Sequence, residues 1–152
     1  MGPDCVFFAA GEGGEAGLGQ IWKYVPTTDL GRPNEEGRLT LVYESGGFGD
    51  LDGPDNMTVS PRGRIILCED GDQDPNFIKV LDPETQILSV LVENLVYFDL
   101  NQFDPDQFPP GSLINSEFAG ATFSPDGKWL FVNVQVPGTT YAITGDWRSL
   151  GI

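Results

Sequence analysis

The sequence contains no histidine and has few cationic side chains. Its 152 residues include 2 cysteines and only 8 Lys or Arg against 23 Asp or Glu, so the net charge is −15. Without imidazole, nucleophile pairs of the Ser-His-Asp and Cys-His types are excluded, as are histidine-ligated metals. Two cysteines are too few for a disulfide framework. Because Cys5 and Cys68 lie in the apolar runs CVFFAA and RIILCED, we expect both to be buried thiols.

The excess of carboxylates restricts the partners of the protein. Nucleic acids and anionic membrane surfaces would be repelled by this charge, whereas hard cations such as calcium prefer clustered oxygen ligands. No apolar run approaches the roughly 20 residues of a membrane span, and the segment after Met1 lacks the pattern of an export signal. The sequence of this chain therefore does not indicate a cellular location.

Hydrophobic periodicity predicts an all-β protein. Short runs rich in aromatic and β-branched residues are bounded by Gly, Pro, Asp or Asn, which is typical of strands. These runs are CVFFAA, GQIWKYVP, LTLVYES, GRIILCED, FIKVLDP, ILSVLVEN, KWLFVNVQV and TTYAIT. No segment shows an amphipathic helical pattern with caps.

A short motif recurs before two of these strands. SPRGRIILCED begins at Ser60 and SPDGKWLFVNV begins at Ser124. In each, Ser-Pro-x-Gly predicts a tight turn in which Gly63 or Gly127 adopts a positive φ. Together with a more degenerate first unit, the motif predicts a single domain over residues 1–152, made of three blade-like units at about 1–45, 46–95 and 96–152. The Pro- and Asp-rich stretch YFDLNQFDPDQFPPGSLIN is interpreted as a long loop.

Repeated antiparallel meanders of this kind predict a partial β-propeller. Closed propellers have about four to eight blades, and their closure leaves only short, protected sheet edges. Three units are too few for closure. We therefore expect the chain to be a fragment of a closed propeller, or to associate with another chain through its open sheet edges.

Acidic residues gather at the ends of the predicted strands. Asp50, Asp52, Asp55 and Asn56 come before one strand, Glu69, Asp70, Asp72 and Asp74 follow another, and Glu117 precedes a third. Neither acidic loop has the spacing of an EF-hand. Asp and Asn are common turn formers, and we interpret Asp50, Asp52, Asp72 and Asp74 in this way.

Glu69 and Glu117 differ from these turn formers because each adjoins an apolar strand. An unpaired buried carboxylate is costly, so each side chain either faces solvent or is held by a cation. We expect both to bind a metal or substrate and to point into the same central cavity.

Three stretches resemble the C-terminal part of the PhoX-type alkaline phosphatases. They are CVFFAAGEGG with GQIWKYVP, GPDNMTVSPRGRIILCEDG, and EFAGATFSPDGKWLFVNVQVPGTTYAITGDW. The resemblance implies a metal-dependent phosphatase that hydrolyses phosphate monoesters with an iron and calcium cluster, in relatives that are periplasmic or extracellular. It further implies that Glu69, Glu117 and Asp55 are metal ligands, with Glu12 as a further candidate, and leaves the catalytic residues unassigned.

Two other functions stay open at this point. One is a calcium-dependent propeller hydrolase of another kind, such as a lactonase, since both chemistries can use oxygen ligands alone. The other is a non-catalytic, truncated propeller module, because the N-terminal region and metal-binding cysteine motif of the PhoX-type enzymes have no counterpart here. Whether the chain is an enzyme on its own therefore depends on which of these interpretations holds.

Overall fold

The protein folds into antiparallel β-sheets. The computed structural model describes residues 5–26, 36–72, 74–96 and 113–152, and within these ranges it has ten strands and no helix. The described residues accordingly include no helix of the length and apolarity that crossing a membrane requires. The predicted all-β class is confirmed. Most of the predicted long loop falls outside the described residues.

The strands form three separate sheets, none of which closes on itself. Sheet 1 has the order β1-β2-β3, with β1 at Val6–Ala10, β2 at Gln20–Val25 and β3 at Arg38–Glu44. Sheet 2 has the order β4-β5-β6-β7, with strands at Pro54–Val59, Ile65–Glu69, Phe77–Leu81 and Leu88–Glu93. Sheet 3 has the order β8-β9-β10, with strands at Phe118–Phe123, Leu130–Val134 and Thr139–Ile143.

The recurring Ser-Pro-x-Gly motif forms the hairpin turns at β4-β5 and β8-β9. Gly63 and Gly127 have φ values of 86° and 68°, as the sequence predicts. Each glycine donates its N–H to the serine carbonyl that opens the turn, at 2.9 Å to Ser60 and 2.8 Å to Ser124. The serine hydroxyl oxygens accept further backbone N–H groups within the same turns. The motif therefore fixes the same hairpin twice.

Sheet 2 lies between the other two sheets and is packed on both faces. Successive residues of β5 point to opposite faces. Ile65 and Leu67 join the core shared with sheet 1, whereas Ile66 and Cys68 join the core shared with sheet 3. All five residues of β5 are consequently buried.

The first strands of the three sheets lie side by side. β4 contacts β1 on one side and β8 on the other. In a propeller, the first strand of each blade runs beside its neighbours in this way around the channel, so the arrangement is consistent with a partial propeller. The division into one domain with units at about 1–45, 46–95 and 96–152 stays a prediction.

The two cysteines have different environments. Cys68 is fully buried in the core between sheets 2 and 3, as expected, but Cys5 is exposed. The prediction for Cys5 was wrong because the residue precedes β1, which lies at the edge of sheet 1, and no strand among the described residues pairs with it.

Candidate metal centre

Three carboxylates from different parts of the chain meet where sheets 2 and 3 adjoin. Asp55 lies in β4, Asp70 directly follows β5, and Glu117 directly precedes β8. One carboxylate oxygen from each lies within 4.8 Å of the others. Among the described residues, this is the one group of three or more acidic or thiol side chains with that spacing. We call it the carboxylate cluster.

The alternation of side chains along β5 explains why Asp70 belongs to this cluster. Cys68 faces sheet 3, and Asp70 follows it by two residues, so Asp70 continues on the same side of the sheet. The intervening residue, Glu69, points the other way. Burial raises the pKa of the Cys68 thiol, and the negative charges of Glu117 and Asp55 raise it further. This face of β5 therefore lies near the cluster.

Glu117 is the buried member of the cluster. Its side chain is 9% exposed, while Asp55 and Asp70 are exposed. Burial raises the pKa of Glu117, and the charge of Asp70, a hydrogen bond with the Asp70 carboxyl group and the charge of Asp55 raise it further. The neighbouring carboxylates therefore favour the protonated form of Glu117.

A contact between β4 and β8 aligns Asp55 with Glu117. The Asn56 amide donates to the Asp55 carboxylate at 3.0 Å, and its carbonyl oxygen accepts the Gly120 N–H at 3.4 Å. Gly120 has a φ of 65° at an irregularity in the pairing of β8 with β9. The small residues after Glu117 allow the backbone of β8 to approach its neighbours closely, and the Ala121 backbone forms a hydrogen bond with the Cys68 thiol.

Two buried asparagines hold the segment that carries Glu117. The Asn94 amide donates to the Ser116 carbonyl at 2.7 Å and to the Leu113 carbonyl at 2.8 Å. The Asn76 amide donates to the Asn115 carbonyl at 2.9 Å. Since Asn76 directly precedes β6 and Asn94 directly follows β7, they fix residues 113–116 to sheet 2.

Asn76 also reaches the loop after Asp70. Its carbonyl oxygen accepts the Gly71 N–H at 3.1 Å. One side chain consequently connects the segment before Glu117 with the residue after Asp70.

Glu69 lies on the opposite face of β5, at the interface with sheet 1. Its side chain is 2% exposed and forms an ion pair with Lys79 at 2.7 Å. The carboxylate also accepts the Asp52 N–H at 2.9 Å and the Phe77 N–H at 3.2 Å. Burial raises the pKa of Glu69, and Lys79 and the two N–H groups oppose that rise.

The family model of alkaline phosphatase PhoX matches residues 8–138. The chain belongs to the alkaline phosphatase PhoX family. The match covers most of the 152 residues, including every member of the carboxylate cluster. No curated protein and no solved structure is significantly similar to the chain. Membership of the PhoX family supports a phosphatase-like function.

The three ligands inferred from the PhoX resemblance do not all lie together. Asp55 and Glu117 both belong to the carboxylate cluster, whereas Glu69 contacts Lys79 and is outside it. A ligand role for Glu69 stays a prediction, and its contacts give it a structural role between sheets 1 and 2. Sequence reasoning missed Asp70, although its alternation with Cys68 along β5 was a signal that could have identified it.

An acidic cleft adjoins the carboxylate cluster in this PhoX-family chain. It has a volume of about 590 Å³, and four carboxylate residues line it: Glu12, Asp52, Asp70 and Asp72. Asp70 belongs to both the cleft and the cluster. Glu12, the further candidate from the resemblance, therefore lies on the same cleft as one cluster member.

Asp50 accepts hydrogen bonds from Tyr43 at 2.5 Å and from the Gly46 N–H at 2.7 Å. These contacts agree with the interpretation of Asp50 as a turn-forming residue.

Proposed function

We propose that this chain provides part of the active site of a metal-dependent phosphatase that hydrolyses phosphate monoesters. The observation that carries the proposal is the carboxylate cluster of Asp55, Asp70 and Glu117, in a chain of the PhoX family. The three residues would hold a hard cation, and calcium and iron are the metals that the resemblance implies.

The spacing and chemistry of the cluster fit such a cation. Calcium binds oxygen ligands at about 2.3–2.6 Å, so two oxygens on one ion lie no more than about 5 Å apart. The three carboxylate oxygens already lie within 4.8 Å of one another. All three ligands are oxygens, which suit hard cations better than soft ones.

The electrostatics of Glu117 support the same assignment. Without a cation, this buried carboxylate has a raised pKa because of its burial and of Asp70 and Asp55 beside it. A cation would offset both effects by favouring the ionised form of Glu117, and a proton held by Glu117 would be released on binding. Metal binding should therefore be accompanied by proton release and should weaken as the pH falls.

The residues of this chain would position the substrate and exclude water from part of the site. Asp55 and Asp70 are exposed and Asp70 also lines the cleft, while Glu117 is buried. A bound cation would polarise the phosphoryl oxygens and neutralise charge that develops on them. Three protein ligands are fewer than the roughly six to eight that calcium takes, which leaves positions for water and phosphate oxygens.

The test combines metal binding with a phosphatase assay on the same samples. We expect calcium to raise the melting temperature of the chain and release protons in unbuffered titration, and the metal-loaded chain to hydrolyse p-nitrophenyl phosphate. Glu117→Gln and Asp70→Asn should lose all three responses. Glu84→Gln, a change in the exposed turn after β6, is the matched control and should keep them. A calcium response that Glu117→Gln and Asp70→Asn leave unchanged, or ester hydrolysis that is equal after chelation, contradicts the proposed function.

A further inference from the structure

Asn76 is a buried asparagine whose backbone and side chain are both hydrogen-bonded. It directly precedes β6 and is 1% exposed. Its backbone N–H donates to the Ile114 carbonyl at 2.9 Å, and its backbone carbonyl accepts the Asn94 N–H at 3.0 Å. Its side chain accepts the Gly71 N–H at 3.1 Å and donates to the Asn115 carbonyl at 2.9 Å. Burying an amide is costly unless it is hydrogen-bonded, so this position requires a side chain that offers both a donor and an acceptor.

The side-chain bond to Gly71 fixes the backbone on one side of Asp70. Asn76 holds the N–H of the peptide group that follows Asp70. The peptide group before Asp70 is held as well, because the Asp70 N–H donates to the Gly53 carbonyl at 2.9 Å. Gly71 is further confined, since a Cβ at this residue would overlap the Asp52 carboxylate. The Asp70 side chain therefore extends from a backbone that is held on both sides.

The other side-chain bond reaches the segment that carries Glu117. The Asn115 carbonyl, which accepts the Asn76 amide, lies two residues before Glu117. The Glu117 carbonyl accepts the Gln135 N–H at 3.0 Å, so this segment is also tied to the end of β9. One planar amide group thus joins the loop after β5 to the segment that enters β8. The carboxyl groups of Asp70 and Glu117, on either side of this connection, are hydrogen-bonded to each other.

The third carboxylate of the cluster is tied to sheet 3 by a different asparagine. The Asn56 amide donates to the Asp55 carboxylate, and its carbonyl oxygen accepts the Gly120 N–H. This contact does not involve the loop after β5. A change at residue 76 therefore acts on the position of Asp70 relative to Glu117 and leaves the contact between Asp55 and β8 in place.

We propose that Asn76 is a positioning residue of the metal centre, which sets the spacing of Asp70 and Glu117 and thereby the size of cation that the cluster accepts. This inference rests on the proposed function, because it takes the carboxylate cluster as a cation site. Replacing a residue that orients metal ligands typically lowers metal affinity about 10–100-fold. Selectivity between hard cations depends on the size of the cavity and on the flexibility of the ligands. A bridge that holds two ligands at one spacing favours cations of one size.

Calorimetric titration with calcium, and with trivalent lanthanide ions of decreasing radius, measures both the affinity and the size preference. We expect the native chain to bind ions of one size most tightly. Asn76→Ala should weaken calcium binding about 10–100-fold and flatten the size preference. Water in the vacated space can bond to the Gly71 N–H and the Asn115 carbonyl, but it does not hold them at one distance. Asn76→Ser is a second, milder variant and should show the same changes, because one hydroxyl group does not span both segments.

Ser60→Ala is the matched control for a general loss of stability. Ser60 is 4% exposed, and its hydroxyl oxygen accepts the Arg64 N–H at 3.0 Å. It follows the end of β4, whereas Asp55 lies near the start of that strand. Ser60→Ala should lower the melting temperature but keep the calcium affinity and the size preference of the native chain. Circular dichroism spectra check that each variant is folded.

The outcomes separate this inference from the proposed function. If both Asn76 variants bind calcium as tightly as the native chain and with the same size preference, Asn76 has only a structural role and the inference is wrong, while the metal centre stands. The inference is equally wrong if Ser60→Ala loses as much affinity as the Asn76 variants, or if the native chain binds ions of all sizes alike. A native chain that binds no cation, or whose binding survives Glu117→Gln, refutes the proposed function and the inference together. The titration requires no turnover, so it decides on Asn76 even in a chain that does not hydrolyse the ester.

Discussion

Replacing Lys79 by methionine should remove a large part of the folding free energy, because it leaves Glu69 buried without its cation. Lys79 is 4% exposed, and its ammonium group contacts Glu69 at 2.7 Å and also donates to the Asp50 carbonyl. Removing one partner of a buried ion pair typically costs about 3–5 kcal/mol. Total stabilities of domains are about 5–15 kcal/mol, so this loss is a substantial fraction. For a chain of this size, we expect the melting temperature to fall by about 6–20 °C.

The pH dependence of this loss identifies its cause. Burial already raises the pKa of Glu69, and without Lys79 that pKa rises further. A carboxyl group with a raised pKa in the folded state favours folding while it is protonated, and this contribution disappears as the pH rises through the folded-state pKa. The destabilisation by Lys79→Met should therefore increase as the pH rises and shrink towards the ordinary glutamate pKa of about 4.3.

Urea denaturation at about pH 7.5 and about pH 5 measures both effects, because the lower pH is nearer to the ordinary glutamate pKa of about 4.3. The matched control is Lys128→Met, because Lys128 forms an exposed ion pair with Asp126 at 3.1 Å. Exposed pairs contribute about 0–1 kcal/mol, so this variant should be close to the native chain at both pH values. The double change Lys79→Met with Glu69→Leu should recover much of the lost stability. If Lys79→Met and Lys128→Met behave alike, or if the loss is the same at both pH values, the buried-charge explanation is wrong.

Two further predictions concern a glycine and the thiols. Gly71→Ala should lower the melting temperature far more than Gly145→Ala. A Cβ at residue 71 would overlap the Asp52 carboxylate, whereas nothing lies within 4 Å of a Cβ at residue 145. Equal effects of the two changes in thermal melts would contradict the close packing. In a thiol-reagent titration, one thiol per native chain should react, because Cys5 is exposed while Cys68 is fully buried with its pKa raised by burial to about 12. Rapid reaction of both without denaturant would refute this assignment.

The fold class and the two turns were predictable because they depend on local chemistry. Ser-Pro-x-Gly specifies a turn with a positive φ at its glycine wherever the flanking residues form strands. β4 and β8 gave a weaker signal, since PDNMTV and FAGATF contain few large apolar residues. For that reason, Asp55 and Asn56 were expected to precede a strand, whereas in the structure they lie within one.

The members of the site were only partly predictable because the sequence does not show which sheet each face contacts. Alternation along β5 places Glu69 and Asp70 on opposite faces, but only the packing order shows that one face meets sheet 1 and the other leads to Glu117. Glu69 was favoured because glutamate is an unusual turn residue next to an apolar strand. That reasoning correctly identified a carboxylate that needs a partner. The partner in the structure is Lys79, which lies in a different strand of the same sheet.

The opposite orientation of Glu69 and Asp70 makes this segment far less tolerant of insertions and deletions than of substitutions. A substitution at either position affects one side of sheet 2. Gaining or losing one residue within β5 would turn every following side chain to the other face, which would place the aspartate in the interior and the glutamate at the cluster. Related sequences should therefore vary in residue type along this strand but keep its length between the Ser-Pro-x-Gly turn and the following glycine. Engineering of the site by loop grafting should accordingly leave residues 60–71 intact and place its junctions elsewhere.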